Sequence, residues 1–364
     1  MADLTQQLIV SIKQAYRTRQ AINIVGANSK PFLGRQIPAE KLSVAEHRGI
    51  LKYQPVELVI TARAGTPVQE IQQALAEHRQ MLAFEPGLFK QSCNSQVSAR
   101  SATIGGTLAA NLSGPARPWS GSIRDMVLGV KLINGRAELL NFGGQVMKNV
   151  AGYDLARAQA GALGTLGLIT EISLKVLPMP EMLRYLQLDI EETLAIQLMN
   201  QLSATAKPIN GACWMAKKLY IRLAGAEKSV LQCVNQWTEE FGFVAAKDRL
   251  FWSQLTQYQL PIQQTTVQLW RFSVRSSAPS LGLAGPQLID WGGALRWVAG
   301  NYDYKELQNI AERAGGTVAL WSGGDRCSEI NHPLTPAMQV LQQRIKRSFD
   351  PCNILNPGRL YTYL

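Results

Sequence analysis

Glycine is concentrated between residues 101 and 178, where it stands in pairs and at three-residue spacing. The members are Gly105-Gly106, Gly143-Gly144, Gly161, Gly164 and Gly167. Glycine occurs where a backbone turns tightly or lies against another group. We therefore expect main chain to line a large ligand that carries phosphates. The alternative is that these glycines only form turns in an α+β domain.

Three polar segments can supply donors to such a ligand. The Gly26-Ala27-Asn28-Ser29-Lys30 run combines side-chain donors with a cation, and its consecutive N–H groups can form an anion-binding nest. Thr103–Thr107 precedes a helix predicted at 108–111, whose first-turn N–H groups would suit an anion. Ser120-Gly121-Ser122 adds small hydroxyls beside Arg124. For the first segment, a polar strand-to-loop turn is the alternative.

Two common nucleotide-binding motifs are missing from the sequence. It contains neither G-x-G-x-x-G nor G-x-x-x-x-G-K-[ST], and the Gly161, Gly164, Gly167 series follows a predicted helix rather than a strand. A nicotinamide-binding Rossmann domain and a P-loop NTPase both lose support.

Strands, a hairpin and short helices alternate before Pro178. We predict a helix over 1–20, a helix over 154–160, and strands over 21–25, 58–62, 126–133, 137–142 and 168–176, with a hairpin turn at Asn134-Gly135. A further helix is predicted to start at Thr66 as N-cap, with Pro67 first and Gln69 closing a capping box. Its buried stripe is Val68, Ile71, Ala74 and Leu75.

The clearest domain boundary is Pro178-Met179-Pro180. Beyond it we predict helices over 191–201 and 227–241, and strands over 219–223, 267–274, 294–298 and 317–321. The fold class predicted for the whole chain is therefore α+β, with a second α+β domain after the boundary.

Composition narrows the function classes. No apolar run reaches the length of a membrane-spanning helix, and the N-terminus lacks a signal-peptide pattern. Five scattered cysteines without C-x-x-C favour a reducing compartment and disfavour an iron–sulfur cluster, and three scattered histidines disfavour a metal site. The net charge of +11 is dispersed without a nucleic-acid-binding motif, so no nucleic-acid partner is expected. It would equally suit an acidic small molecule, an acidic protein or an anionic membrane surface.

Long motifs in the chain resemble the FAD-binding domain of the vanillyl-alcohol oxidase/PCMH flavoprotein superfamily. Within it, the chain is most similar to the FAD-binding subunits of bacterial glycolate oxidases. The motifs are Gly26–Lys30, Phe32–Arg35, His47–Ile50, Glu57–Thr66, Gly114–Leu128, Phe142–Leu155, Phe349–Pro351 and Asn356–Arg359. The resemblance is dense over 22–178, weak over 180–320 and returns after 345. It implies a PCMH-type FAD-binding domain over 1–178, a cap-like α+β domain over 179–344, and a segment over 345–364 that packs back near the first.

The resemblance also implies which residues contact FAD. They are Gly26, Ala27, Asn28, Ser29, Lys30, Thr103, Gly105, Gly106, Ser113, Gly121, Ser122, Arg124, Ile169 and Asn356. Asp125 is expected to orient Arg124. Non-covalent FAD is expected, because no histidine stands in the 26–30 loop, where many relatives attach flavin. Residues 356–359 are expected to return to the FAD-binding domain, and the alternative is that they form a turn at the surface.

The resemblance weakens where catalytic relatives carry His-x-Gly-Asp-Gly-Asn. Here Trp321–Arg326 keeps only Gly-Asp, so no catalytic residue is assigned. Arg271, Arg275 and Arg296 are candidates for binding a carboxylate, or are surface or salt-bridge arginines.

The implied function is that of one FAD-binding subunit in a multi-subunit glycolate oxidase that converts a 2-hydroxy acid to a 2-oxo acid. The implied partners are a second flavoprotein subunit and an iron–sulfur subunit. The implied location is the cytoplasm, and whether the partners bring the complex to the membrane is left open. The alternatives are a self-sufficient FAD oxidoreductase of another alcohol or hydroxy acid, and a non-catalytic assembly subunit.

Overall fold

The computed structural model describes residues 3–89, 101–144, 154–246 and 250–364. The α-helices are α1 Thr5–Thr18, α2 Val68–Ala76, α3 Ile104–Ala110, α4 Arg117–Ser120, α5 Ile123–Met126, α6 Leu155–Ala158, α7 Glu192–Ser203, α8 Glu227–Phe241, α9 Phe251–Thr256, α10 Tyr304–Arg313 and α11 Pro336–Phe349. The strands are β1 Ile22–Val25, β2 Glu40–Ser43, β3 Ile50–Gln54, β4 Val59–Arg63, β5 Gln80–Met81, β6 Val127–Ile133, β7 Leu139–Gly143, β8 Leu168–Lys175, β9 Leu177–Pro178, β10 Met182–Asp189, β11 Ile209–Met215, β12 Lys218–Gly225, β13 Val244–Ala245, β14 Leu269–Ser273, β15 Gln287–Asp290, β16 Leu295–Ala299 and β17 Thr317–Ser322. Short 3₁₀ turns cover Pro261–Gln264 and Trp291–Gly293. Cys93, Tyr153 and most of the Phe142–Leu155 motif lie outside the described residues.

The chain divides into two compact units. The first comprises residues 1–113, 122–178 and 325–364, and the second comprises 114–121 and 179–324. Both contain helices and sheets, as an α+β fold requires. The domain ranges 1–178, 179–344 and 345–364 stay a prediction, and the compact units group 114–121 and 325–344 differently.

The first unit is built on a five-stranded antiparallel sheet of order β3-β4-β8-β6-β7. One face of this sheet packs against α2 and α3. The shared core contains Ile60, Ile71, Leu75, Ile104, Leu108, Leu132, Ile172 and Leu174. A parallel pair, β1 and β2, stands beside it, and Leu8 and Ile12 of α1 pack there with Ile354 and Leu355. Burial of these apolar side chains is the main stabilising contribution, about 2 kcal/mol for each large one.

Two local predictions for this unit were wrong. The α2 helix begins at Val68 without a side-chain cap, because the Thr66 hydroxyl is bonded to the backbone N–H and C=O of Gly49 at 2.9 and 3.2 Å. The Asn134-Gly135 turn extends further than predicted, since Asn134 Oδ1 accepts from the N–H of Glu138 at 3.0 Å and β7 starts only at Leu139. Of the predicted buried stripe, Val68, Ile71 and Leu75 are buried, and Ala74 is half-buried.

The second unit contains an eight-stranded antiparallel sheet of order β13-β10-β12-β11-β15-β16-β14-β17. Helices α7 and α8 bury their apolar residues against it, in a core with Met199, Ile221, Val230 and Trp237. The two helices and the four strands predicted after residue 180 are confirmed. In the described ranges, no helix has the length and hydropathy needed to cross a membrane.

Candidate functional site

Four loops of the first unit meet at one cleft. They are the 26–30 loop after β1, the start of α3, the 161–167 loop before β8, and the C-terminal residues 356–359. The cleft has a free volume of ≈ 780 Å³, open solvent at the mouth included, which is in the range of small-molecule sites. Its apolar surface comes from Ile24, Leu33, Val44, Ala64, Leu163 and Ile169.

The 26–30 loop presents backbone donors that the protein itself does not use. The N–H groups of Ala27, Ser29 and Lys30 donate to no acceptor in the described part of the chain. Asn28 adopts a left-handed conformation, with φ 54°, which turns neighbouring N–H groups toward one side. Successive N–H groups in such a turn form a concave site for an anion.

Lys30 brings a positive charge to the same place. Its Nζ contacts Ser29 Oγ at 3.3 Å and lies 5.0 Å from the centre of the Phe89 ring, and no described carboxylate pairs with it. Burial lowers the pKa of Lys30 to about 8. Arg359 is the other ionisable residue of the described lining, which contains no acidic residue. The cleft is therefore electropositive.

The start of α3 does not offer free donors, contrary to the sequence-based expectation. The helix begins at Ile104, not at 108, and its first N–H groups are occupied. The acceptors are Thr66 O for Ile104 N at 3.0 Å, Ala64 O for Gly105 N at 2.8 Å, and Thr103 Oγ1 for Gly106 N at 3.2 Å. The chain that leaves β4 runs beside this turn, and its carbonyl groups accept the hydrogen bonds of the first N–H groups of α3. The 26–30 loop is therefore the better candidate anion site.

Two glycines are required by close contacts around the cleft. A Cβ on Gly26 would lie 2.4 Å from Thr103 Oγ1, the atom that caps α3. A Cβ on Gly105 would lie 2.6 Å from the Cβ of Ala64. These contacts set the spacing between the 26–30 loop, α3 and β4.

Asn356 connects two of the loops through its side chain. Its Oδ1 accepts from the N–H of Ile24 at 2.6 Å, and its Nδ2 donates to the carbonyl of Leu163 at 2.5 Å. A Cβ on Gly164 would lie 2.8 Å from the same Nδ2. Asn356 therefore fixes the end of β1 against the 161–167 loop.

A C-terminal clasp, formed by Lys346 and Asp350, holds the same region from behind. The buried Lys346 Nζ donates to Asp350 Oδ2 at 2.7 Å and to the carbonyls of Thr165 and Leu355 at 2.8 and 2.7 Å. The Asp350 carboxylate also accepts from the N–H groups of Ile354 and Leu355, at 3.1 and 2.7 Å. Burial lowers the pKa of Lys346, and Asp350 opposes that shift. The charge is thus compensated within the protein.

Ten of the fourteen predicted FAD-contact residues line the cleft. They are Gly26, Ala27, Asn28, Ser29, Lys30, Thr103, Gly105, Gly106, Ile169 and Asn356. Ser113, Gly121, Ser122 and Arg124 are not in its lining. The contact of any of these residues with FAD stays a prediction.

Two of the residues outside the cleft, Ser113 and Ser122, have structural roles at the start of α5. Ser113 Oγ accepts from the N–H of Ile123 at 3.2 Å. Asp125 was expected to orient Arg124, but its carboxylate instead accepts from the N–H and hydroxyl of Ser122, at 2.8 and 2.7 Å. It thereby caps α5. Arg124 is exposed, and no described ion pair joins it to Asp125.

Several lining residues were missed as site residues from the sequence. Leu163 and Arg359 line the cleft, although no site role was assigned to them. Gly164 and Gly167, which were expected to line a ligand only as part of the glycine series, also line it. The three-residue glycine spacing was the available signal for these two glycines. Arg359 Nη1 donates to the carbonyl of Arg35 at 2.8 Å, a pairing across more than three hundred residues that no local pattern reveals.

The three arginines considered for a carboxylate differ in their surroundings within the second unit. Arg296 is buried and donates to the carbonyls of Gly293, Ala278 and Pro279, so it is structural. Arg275 is exposed. Arg271 is half-buried, and its surroundings are aromatic.

Arg271 lies against three indole rings. Its guanidinium carbon is 5.2, 5.9 and 5.9 Å from the ring centres of Trp291, Trp297 and Trp321. No described residue forms a hydrogen bond with this guanidinium, while Tyr258 and the Asp290 carboxylate lie near enough to act on its charge. Burial lowers the pKa of Arg271 and raises the pKa of the neighbouring Tyr258 to about 12. This cation retains its capacity to bind an anion.

Comparison with known proteins agrees with this geometry. An FAD binding domain family matches residues 2–143. Glycolate oxidase subunit GlcE of Escherichia coli (strain K12) is 43% identical over 362 residues, 100% of this chain and 99% of that protein. Glycolate oxidase subunit GlcD of Bacillus subtilis (strain 168) is 39% identical over 84 residues, 23% of this chain and 18% of that one.

The fold has a solved counterpart. A crystal structure of p-cresol methylhydroxylase with substrate bound superposes with a TM-score of 0.75 at 16% identity, over 99% of this chain and 88% of that one. At this identity the likeness concerns the fold alone, and it confirms the predicted PCMH-type α+β architecture. Identity over the full length carries the family assignment: the chain belongs to the family of FAD-binding flavoproteins that contains glycolate oxidase subunit GlcE.

Proposed function

We propose that the chain is the FAD-binding subunit of a multi-subunit glycolate oxidase that converts a 2-hydroxy acid to a 2-oxo acid. Family membership and the printed name of its E. coli relative support the reaction. The observation that carries the cofactor role is the 26–30 loop, with unused N–H groups and the Lys30 ammonium in a cleft whose described lining has no acidic group.

The cleft fits the diphosphate portion of FAD by charge and by hydrogen bonding. The N–H groups of Ala27, Ser29 and Lys30 would donate to phosphate oxygens, and Lys30 would neutralise part of their charge. Asn356 would act by positioning, because its side chain already bridges Ile24 and Leu163. The contact is non-covalent, since no histidine stands in this loop. When bound, FAD supplies an acceptor for the two electrons of alcohol oxidation.

Arg271 is the best candidate in the second unit for the carboxylate of the acid. Its aromatic surroundings hold the guanidinium without consuming its N–H donors, so a planar carboxylate can accept two of them. Arg296 is unsuited to this role, since its donors are bonded to three carbonyls.

The proposed partners are a second flavoprotein subunit and an iron–sulfur subunit. The names GlcE and GlcD of the relatives support a complex with several subunits. An iron–sulfur cluster is assigned to a partner because the described cysteines of this chain are scattered, and burial raises the pKa of Cys213 and raises that of Cys233 to about 11. We place the complex in the cytoplasm, with any membrane contact made by the partners.

The test is a flavin assay followed by an anaerobic reaction. The chain is purified alone, denatured and assayed for released FAD, and the native protein is then mixed with glycolate or D-lactate. We expect released FAD, and bleaching of the flavin by glycolate once the partner subunits are added. A protein that neither carries FAD nor can be reconstituted with it would contradict the cofactor role. Bleaching of the isolated chain would instead indicate a self-sufficient oxidoreductase.

A further inference from the structure

Helix α11 exposes an apolar stripe that the first unit does not cover. Met338, Leu341 and Ile345 are 44%, 48% and 37% exposed, and they stand at positions i, i+3 and i+7. At about 100° per residue these three side chains share an arc of roughly 60° on one face. Only Lys346 and Phe349 of this fourteen-residue helix are buried. Single exposed apolar residues are common, whereas an aligned set on one helix indicates a contact surface.

The stripe has a basic margin. Arg344 is exposed, lies about 60° from Leu341 around the helix axis and forms no ion pair with a described residue, and α11 contains no acidic residue. Arg347 is also exposed but lies about 120° from Leu341, on the far side of the helix beside Val340, which is 47% exposed. Lys346 belongs to the clasp and is neutralised by Asp350. The face that α11 presents is therefore apolar in its centre and positive along one edge, at Arg344.

A cavity adjoins the stripe. Its lining includes Ile345 and Gln342 of α11, Leu360 and Leu364 of the C-terminus, and Leu166 of the loop before β8. The free volume is ≈ 650 Å³, open solvent at the mouth included. A cavity with fixed apolar walls is suited to a protruding side chain of another protein.

We propose that α11 docks this chain onto a partner subunit, with its stripe in an apolar groove bordered by carboxylates and a partner side chain in the adjoining cavity. The i, i+3, i+7 spacing is that of helix-in-groove recognition, and Arg344 favours an acidic residue on the rim of the groove. This inference rests on the proposed function, which requires partner subunits.

Two other occupants fit these observations less well. A second copy of the chain would bring the Arg344 side chains of two identical helices into one interface, with no acid on α11 to compensate. A lipid surface would meet a narrow stripe without an aromatic residue, and it would not fill the cavity with fixed groups. A protein partner accounts for the stripe, the charge and the cavity together.

The experiment uses the full-length chain with FAD and, as probe, the GlcD-type flavoprotein subunit and iron–sulfur subunit of the same organism, purified together. The variant is Leu341→Glu/Arg344→Glu. The matched control is Leu231→Glu/Lys228→Glu, which changes an exposed leucine and an exposed base at the same spacing on α8. Kd is measured by interferometry and the assembled mass by light scattering. FAD content and melting temperature of each variant alone report folding.

We expect the α11 variant to raise Kd by about 100-fold and the α8 control by less than about threefold, with FAD content unchanged. If the wild-type chain binds the probe and the α11 variant binds it equally well, the docking proposal is wrong while the proposed function stands. If the wild-type chain does not bind the probe, the proposed function fails as well.

Two further outcomes would overturn the choice of partner. Loss of a wild-type homodimer in the α11 variant, with unchanged probe binding, would assign the face to self-association. Co-sedimentation of the wild type, but not of the variant, with vesicles of phosphatidylcholine and phosphatidylglycerol at 3:1 would assign it to a membrane if probe binding is again unchanged.

Discussion

The 26–30 loop and the C-terminal clasp each contain a lysine withdrawn from water, and the two lysines have opposite surroundings. Lys346 is bonded to a carboxylate and two carbonyls, whereas Lys30 contacts one hydroxyl and a ring face. Burial lowers the pKa of both amines. A desolvated cation is costly unless an anion accompanies it. The protein supplies that anion at Lys346, and the comparison indicates that a ligand supplies it at Lys30.

The largest effect should come from breaking the clasp. Asp350→Ala leaves Lys346 buried without its carboxylate and removes the acceptor of two N–H groups, so we expect the free energy of unfolding to fall by about 3–5 kcal/mol. Urea denaturation measures this change. Asp189→Ala, which breaks an exposed pair with Lys218, is the control and should cost less than about 1 kcal/mol. Equal losses in the two variants would show that the clasp is not special.

Exchanging each lysine for methionine separates the two regions most directly. Lys30→Met keeps the volume but removes the charge, and we expect Kd for FAD to rise about 10- to 100-fold, the range for a lost charged hydrogen bond, without loss of apo stability. Lys346→Met should instead lower the unfolding free energy, since it leaves Asp350 buried and unpaired. Flavin fluorescence titration and urea denaturation report the two quantities. Unchanged FAD affinity in Lys30→Met would refute the assignment of this loop.

A smaller loss is expected for Gly26→Ala. The new Cβ would displace Thr103 Oγ1 from its capping bond to Gly106, which should cost about 1–2 kcal/mol in stability and about tenfold in FAD affinity. Thr103→Ala removes the same cap, so the double variant should lose less than the sum of the single changes. Simple additivity in this double-mutant cycle would mean that the contact between the two residues is not the cause.

The smallest effect is a pH dependence of FAD binding. The pKa of Lys30 without ligand is about 8, lowered by burial, so the ammonium is present below pH 8 and is lost as pH rises through that value. Affinity for the anionic cofactor should therefore fall on raising the pH from about 7 to about 9.5, by no more than the Lys30→Met effect. The difference between the pH profiles of wild type and Lys30→Met measures the contribution of the Lys30 ammonium to FAD affinity. Identical profiles would contradict this contribution.

Apolar periodicity allowed much of the fold to be predicted. The strand predicted over 168–176 and the helix predicted over 227–241 appear in the structure as β8 and α8, because apolar spacing is a property of a local segment. Burial is less local: in β8 the polar residues Thr170 and Ser173 are buried as well. Local hydrogen-bonding patterns were less reliable. Thr66 had the spacing of an N-cap, but its hydroxyl is bonded to the backbone of Gly49, which lies just before β3.

The sequence predicted the 26–30 loop of the candidate site, but not the contacts that hold this loop in place. Gly26–Lys30 carries its donors and charge within five consecutive residues, so composition and order were sufficient. Asn356 and Arg359 join that cleft from the far end of the chain, and no spacing rule connects them with Ile24 or Arg35. The unoccupied donors of the loop and the occupied donors of α3 likewise depend on neighbours that only the fold brings near.

By itself, the sequence determined the α+β class, and it predicted a boundary near residue 178 and an anion-binding loop at 26–30, since each follows from residue types within a short window. The tertiary structure alone decided which polar groups remain available. Lys30 and Arg271 keep their charge without a hydrogen-bonded carboxylate, while Lys346 is bonded to Asp350 and to carbonyls that include the distant Thr165, and Arg296 is bonded to three carbonyls. The physical reason is that a hydrogen bond or ion pair requires atoms within about 3 Å, and chain order does not specify which distant atoms reach that distance.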